Sequence, residues 1–211
     1  MTRLSPAARR EEIVAAALRV ASTKGLANTT VRDVAAEMGT SSGLIHHYFD
    51  SMDDVLAAAF EEAAGTDLAK TEKAMDECSG AAERLSTFFA SYTRTDYGAF
   101  QVWLDAWAEA SRRPALGATS RRFNVAWQKL IATTIVDGIE DGTFVCDDPD
   151  AAAWRVLSLL DGLNLQLAAH PGVIDNDVVF DWAMTAMESE VGLPIGSLVR
   201  PTAQGSDTPA T

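Results

Sequence analysis

The chain is poor in the residues and patterns that most enzymes and membrane proteins need. Its 211 residues include two cysteines and three histidines. Cys78 and Cys146 lie far apart in no metal-ligand spacing, so two free thiols are expected; a redox switch is the alternative, and nothing in their surroundings supports it. His46 and His47 are adjacent, and neighbours on a helix point in different directions, which makes a poor metal pair. No uninterrupted apolar run is long enough to cross a bilayer, and the N-terminus lacks the basic-then-apolar layout of a secretory signal. A cytoplasmic location is therefore expected. There is no nucleophile elbow, no phosphate-cradling glycine loop and no His-Glu zinc helix, so neither an enzyme nor a cofactor is expected. Strand-type alternation is scarce and no internal repeat is visible.

Basic residues are also outnumbered, 17 against 30 acidic, for a net charge of −13. The imbalance is not uniform. Residues 1–52 hold six Lys/Arg and five Asp/Glu, a charge of +1, whereas the remainder holds eleven and twenty-five, a charge of −14. Such asymmetry suggests two parts with different partners. Phosphate would be repelled by the acidic part. A near-neutral N-terminal part must rely on placed contacts rather than a strong general field.

What is present reads as helix almost throughout. Ile13, Ala16, Ala17 and Val20 make one apolar face of a first helix over about 6–24, with Gly25 as its stop. Thr30 with Asp33 three residues on suits a capping box for a second helix, whose buried stripe is Val31, Val34, Ala35 and Met38 and which Gly39 closes. Thr40 or Ser41 opens a short third helix. Ser51 with Asp54 opens a long fourth helix to about residue 77. Further on, Leu85, Phe88, Phe89 and Tyr92 mark one helix. Phe100, Trp103, Leu104 and Trp107 mark another, which Pro114 is expected to end or bend. Phe123, Trp127, Leu130, Ile131 and Thr134 mark the next. Asp148-Pro149 is a cap followed by a first-turn proline, opening a helix that stops at His170-Pro171-Gly172. A last helix spans about 177–191. The expected fold is all-α: an N-terminal three-helix unit (1–52), a larger helical bundle (53–200) and a small, polar tail (201–211) expected to be disordered.

Residues 29–49 have the makings of a helix-turn-helix: a bracing helix, a tight glycine turn and a short helix with small or polar outward residues. At about 100° per residue, Ile45 and Phe49 point together into the core and Leu44 and Tyr48 flank them. Ser42, Gly43, His46 and His47 point outward, a face suited to close approach to bases and phosphates. Periodicity alone also fits a packed helical hairpin with a polar surface. Protonation of the histidines near neutral pH would add charge toward DNA, so binding is expected to strengthen from about pH 8 to 6.

A family resemblance separates these readings. Over about residues 9–56 the chain resembles the DNA-binding domain of the TetR family of repressors. The shared pattern is Ile-Val-Ala-Ala-Ala (13–17), Gly25, Thr-Thr-Val-Arg-Asp-Val-Ala (29–35), Gly39, Ser-x-Gly (41–43), His-Tyr-Phe (47–49) and the capped Ser-Met-Asp-Asp-Val-Leu (51–56). The Ile-x-His-Tyr-Phe ending most resembles the BetI-like branch. The resemblance implies phosphate contacts from Thr30 and Arg32. It implies base-edge or backbone contacts from Thr40, Ser41, Ser42 and Leu44, with Gly43 and His47 on the same face. His46 stands where the family commonly has Tyr, and Tyr48 where it commonly has His; both positions usually meet phosphate. Met52 stands where the family often has Lys, which leaves Arg9 or Arg10 as candidates for that contact.

The resemblance further implies a homodimer on double-stranded operator DNA, repression, and release by a small-molecule effector. Candidate effector-binding residues are Phe100, Trp103, Trp107 and Trp127, with Asn164, Gln166 and His170 as polar groups in or near the apolar run 156–169. Aromatic side chains at helical spacing are also simply core, and an aromatic cage beside acids would suit a quaternary ammonium. The last two long helices are the expected dimer interface, through Leu160, Leu163, Leu167, Trp182, Ala183, Ala186 and Met187. The rival class is a helical adaptor that binds protein through its aromatic part without specific DNA binding.

Overall fold

The computed structural model describes residues 5–93 and 97–200, and among them every regular element is helical. Helix α1 (Pro6–Lys24) starts where the Ser5 hydroxyl accepts the Ala8 N–H at 3.1 Å, with Pro6 in the first turn where its missing N–H costs nothing. Gly25 ends it with φ +80°. A 3-10 turn (Leu26–Asn28) leads to α2 (Val31–Glu37), and the Thr30–Asp33 capping box is formed in both directions. Beyond α2, the Gly39 N–H donates to the Ala36 carbonyl and the Thr40 N–H to the Ala35 carbonyl, at 3.0 and 2.9 Å. This Schellman arrangement needs a left-handed residue between them, and Gly39 at φ +64° supplies it without steric cost.

Helix α3 (Ser42–Tyr48) follows, then α4 (Met52–Asp76), capped by Ser51, whose hydroxyl accepts the Asp54 N–H. Helices α5 (Ala81–Thr93), α6 (Tyr97–Glu109), α7 (Pro114–Glu140), α8 (Pro149–Ala169) and α9 (Asn176–Glu190) complete the bundle. Asp148 caps α8 by accepting the Ala151 N–H, and Pro149 opens it. The part expected of Pro114 is corrected. Helix α6 has already ended at Glu109, and Pro114 is a first-turn residue of α7. A proline that breaks a helix interior is harmless at the position where the N–H has no intrahelical partner.

Among the described residues, three apolar clusters organise the fold. The first joins α1, α2, α3 and the start of α4 through Ile13, Val14, Ala16, Ala17, Val34, Ala35, Ile45, Phe49, Val55 and Ala59. The largest fills the space between α5, α7, α8 and α9, around Phe88, Phe89, Trp127, Ile131, Leu160 and Met187. A smaller third cluster, with Ala21, Leu26, Leu56, Phe60, Val102, Ala106 and Leu116, lies between the other two. After α9 the chain folds back. Glu188 is 2% exposed, and its carboxylate accepts the Gly196 and Leu198 N–H groups at 2.9 and 2.7 Å. Arg200 then stacks on Phe180 and pairs with Asp177 at 2.5 Å. No helix among the described residues is long and apolar enough to cross a membrane. Residues 201–211, the expected tail, lie outside the described residues.

Candidate functional site

Helix α3 is anchored by Ile45 and Phe49, which are 1% and 4% exposed. Those two anchors fix its rotation, because residues four apart lie on one face. Gly43, His46 and His47 are exposed as a consequence, Ser42, Leu44 and Tyr48 are half-buried, and Ser41, the N-cap, is exposed and makes no side-chain cap bond. The His47 and Tyr48 rings meet edge-on at 5.0 Å. Of the outward face expected from the wheel, Gly43, His46 and His47 are exposed on one short helix, and Ser42 is half-buried beside them.

Thr30 and Arg32, at the start of α2, are both exposed. The Thr30 hydroxyl is committed to Asp33: it donates to Asp33 Oδ2 at 2.7 Å and accepts the Asp33 N–H at 3.3 Å. Asp33 is also bound by Lys24 at 2.5 Å. Lys24, followed by the Thr30 hydroxyl and the Thr30 N–H, which donates to Asp33 Oδ2 at 3.1 Å, lowers the Asp33 pKa from 3.8 to about 2. Helix α2 is thereby tied to the end of α1. Thr40 is half-buried at the turn. The two arginines that could replace the missing lysine are occupied. Arg9 pairs with Glu12 at 2.5 Å. Arg10 donates to the Tyr48 carbonyl at 3.1 Å and lies over the Phe49 ring at 3.9 Å. Met52 is half-buried and packs against both the first and the third cluster.

In the larger bundle the expected aromatic residues separate into two groups. Phe100, Trp103 and Trp107 meet one another on α6, with centroid separations of 5.9 and 5.8 Å, and Trp103 meets Phe60 edge-on at 4.8 Å. Trp127 joins a different group, with Phe88 and Tyr92, each at 5.8 Å. Its indole Nε1 is buried without a hydrogen-bond partner among the described residues. The Tyr92 hydroxyl donates to Asp161 of α8. Burial raises the Asp161 pKa from 3.8 to about 6, against the opposing pull of the Tyr92 bond. Burial, and then the Asp161 charge, push the Tyr92 phenol well above its usual value of 10.0.

Phe88 and Tyr92, read from the sequence only as markers of a helix, and Asp161 are not among the expected effector-binding residues, although Asp161 is the one charged residue in the apolar run 156–169. The three polar candidates lie elsewhere. Asn164 donates to the Leu160 carbonyl of its own helix at 2.9 Å, and Gln166 and His170 are exposed at the end of α8. Among the described residues, no group of three or more His, Cys, Asp or Glu is placed to hold a metal ion. Cys78 and Cys146 are free, and Cys78 Sγ lies 3.2 Å from the Thr87 hydroxyl.

The sequence interface candidates are divided by the fold. Leu160, Leu167, Ala183 and Met187 are buried within the chain. Trp182 is 52% exposed, and Leu163 and Ala186 are half-buried. Trp154, Leu159 and Leu165 of α8 add exposed apolar surface that the sequence reading missed.

Known proteins share these features. Residues 13–59 match the family model described as bacterial regulatory proteins, tetR family. Residues 81–192, more than half of the chain, match the model described as BetI-type transcriptional repressor, C-terminal. The chain is similar to the HTH-type transcriptional regulator BetI 2 of Chromohalobacter salexigens, at 31% identity over 79% of this chain and 81% of that protein. It is similar to the HTH-type transcriptional regulator BetI of Rhizobium meliloti, at 28% identity over 75% and 77%. Among solved structures it is similar to a transcriptional regulator from Saccharomonospora viridis in complex with choline, at a TM-score of 0.79 and 26% identity, over 88% of this chain and 98% of that one.

Proposed function

Because the chain belongs to the TetR family of bacterial transcriptional regulators, we propose that α1–α3 form a head that reads operator DNA through the exposed face of α3. In this reading residues 1–52 are the DNA-binding unit and residues 53–200 the effector-binding and dimerisation unit of a cytoplasmic repressor without catalytic activity. The observation that carries it is the rotation of α3: Ile45 and Phe49 lock inward, so Gly43, His46 and His47 face out, with exposed Ser41 and half-buried Ser42 and Tyr48 at their flanks. Small residues allow close approach to a groove, and hydroxyl, imidazole and phenol groups can bond to bases or phosphates. A short helix reads few bases, so two heads spaced by about one helical turn, or a multiple, supply the specificity. Trp154, Leu159 and Leu165 on α8 with Trp182 on α9 form the apolar face we assign to the partner subunit. Ser158 and Gly162 on the same side of α8 allow close helix approach.

The test is fluorescence anisotropy with DNA from around the protein's own gene. Specific binding that falls steeply with salt is expected, with His47→Ala and Tyr48→Phe weakening it at unchanged helix content. A folded dimer with no binding at low salt would leave the adaptor reading instead.

For the effector, the grouping of the Phe88, Tyr92 and Trp127 rings beside the Asp161 carboxylate favours a small organic cation, since ring faces attract cations most strongly away from water. This is also the chemistry of the choline bound by the Saccharomonospora viridis regulator. Calorimetric titration with choline tests it: heat that disappears in Asp161→Asn supports the assignment, and no heat in the parent protein refutes it.

A further inference from the structure

Among the described residues, the reading head makes a polar contact with helix α6 at Asp105. The Leu26 N–H donates to Asp105 Oδ2 at 2.7 Å, and the other oxygen of that carboxylate accepts from Gln101 Nε2 at 2.8 Å. The preceding residue, Gly25, has φ +80°, and a Cβ there would stand 2.9 Å from Asp105 Oδ2. Glycine therefore satisfies two demands at once: the left-handed backbone, and the close approach of the carboxylate. Beside this contact is an open cleft lined by Ala21, Lys24, Asn28, Gln101 and Asp105. On this side the carboxylate bond borders the cleft, next to the packing of Leu26 against Val102 and Ala106.

The segment that Asp105 grips is stiff. The Thr29 hydroxyl donates to the Gly25 carbonyl at 2.8 Å and the Asn28 amide to the Lys24 carbonyl at 3.0 Å. Lys24 pairs with Asp33 in the first turn of α2, and Leu26 is fully buried in the third cluster against the α6 residues Val102 and Ala106. A displacement of α6 felt at Leu26 therefore reaches α2 through Lys24–Asp33, and α3 through the turn that α2 shares with it. Helix α6 also carries Phe100, Trp103 and Trp107. Asp53 makes the corresponding contact from the other side. At the start of α4, its carboxylate accepts the Ala115 and Leu116 N–H groups at the start of α7, at 2.9 and 3.2 Å.

We infer that Asp105 is a positioning residue that sets the pose of the DNA-reading head against α6 through the Leu26 amide. The inference rests on the proposed division into a reading head and an effector-binding bundle. An anionic acceptor suits the task, because a charge-assisted bond to a backbone N–H is roughly twice as strong as a neutral one yet can be broken and remade. A conformational signal needs an element with differential contacts in two arrangements, and this bond would be such a contact if α6 and Leu26 moved apart.

The experiment uses the full-length dimer in a Cys78→Ser, Cys146→Ser background, with a nitroxide at the exposed position of an Ala36→Cys substitution. Distances between the two heads are measured by pulsed electron resonance without DNA or effector. Asp105→Ala is expected to broaden the distance distribution. It should also raise the exchange rate of the Leu26 amide at least about ten-fold, because that amide loses its acceptor, and weaken operator binding about five-fold, at the low end of typical coupling. Asp105→Asn retains an acceptor oxygen and is expected to keep the parent distribution. A purely structural role would lower thermal stability without moving the head-to-head distances. Should Asp105→Ala not form a folded dimer, Gln101→Ala loosens the carboxylate, and faster Leu26 exchange there gives the same answer. An unchanged distribution and an unchanged Leu26 amide in both variants overturn the inference. Loss of operator binding by the parent protein would instead sink the regulator reading and leave this result standing.

Discussion

Arg10 of α1 lies over the face of Phe49, 3.9 Å from the ring centroid, and its guanidinium donates to the Tyr48 carbonyl at 3.1 Å. One side chain thus covers the residue that anchors α3 and satisfies a carbonyl at that helix's negative end. Arg10→Ala is expected to lower stability by about 1–2 kcal/mol, the combined scale of an exposed cation–π contact and a bond at a helix C-terminus. Arg10→Lys keeps the charge and loses the planar stack, so it should fall between the two in thermal melts while matching the parent in the salt dependence of DNA binding. Parent-like melting of Arg10→Ala would show that the contact is idle.

Thr30 holds the start of a helix only seven residues long, which has little intrinsic stability of its own. Thr30→Ala removes the capping hydroxyl and is expected to cost about 1 kcal/mol, a melting shift of roughly 2–4 °C for a chain of this size. Thr30→Ser retains the cap and should restore the melting temperature. A weaker DNA affinity in the serine variant at restored stability would assign the lost methyl group to the interface.

Met52→Lys tests how much backbone grip the head lacks. The half-buried methionine packs with its stem against two clusters, and a lysine stem can lie along the same surface with its ammonium in water. Operator affinity should rise at low salt, and the slope of log affinity against log salt should steepen by about one. An unchanged slope would place position 52 out of reach of phosphate.

Asp161 gives the protein a pH dependence of defined sign. Its folded pKa of about 6 lies above the 3.8 of the free side chain, so the folded state holds the proton more tightly. Its contribution to stability is fully present below pH 4 and is lost as pH rises through 6. Asp161→Asn keeps an acceptor for the Tyr92 hydroxyl and removes the charge. It is expected to raise stability at pH 7 by about 2 kcal/mol, allowing for partial solvent access, and to flatten the profile between pH 4 and 6. Denaturant titrations across that range check it, and a steeper profile in the asparagine variant would contradict it.

Local features of the fold were legible because their causes are local. The Thr30–Asp33, Ser51–Asp54 and Asp148–Pro149 signals each act within one turn, and each starts a helix as expected. The rotation of α3 followed from Ile45 and Phe49 alone. Pro114 was misplaced because its effect depends on where α6 stops, and packing sets that point at Glu109. Asp53, Asp105 and Asp161 were invisible for a different reason. Each is an acid in an acidic half-chain, and although Asp161 stands alone in its apolar run, the partner that gives each its role lies more than 60 residues away. Arg10 was weighed as a phosphate ligand because a sequence shows its charge and not the ring beneath it.

The buried Glu188 carboxylate has a consequence for biosynthesis. Its two partners, the Gly196 and Leu198 amides, lie downstream of it in the chain. Until the ribosome has released those residues, a nascent α9 that packed in place would trap an anion without donors, which costs several kcal/mol. The helix that carries Trp182, part of the face proposed for the partner subunit, is therefore expected to dock only once residues 196–198 are available. Pairing of subunits through that helix would then wait on residues 196–198.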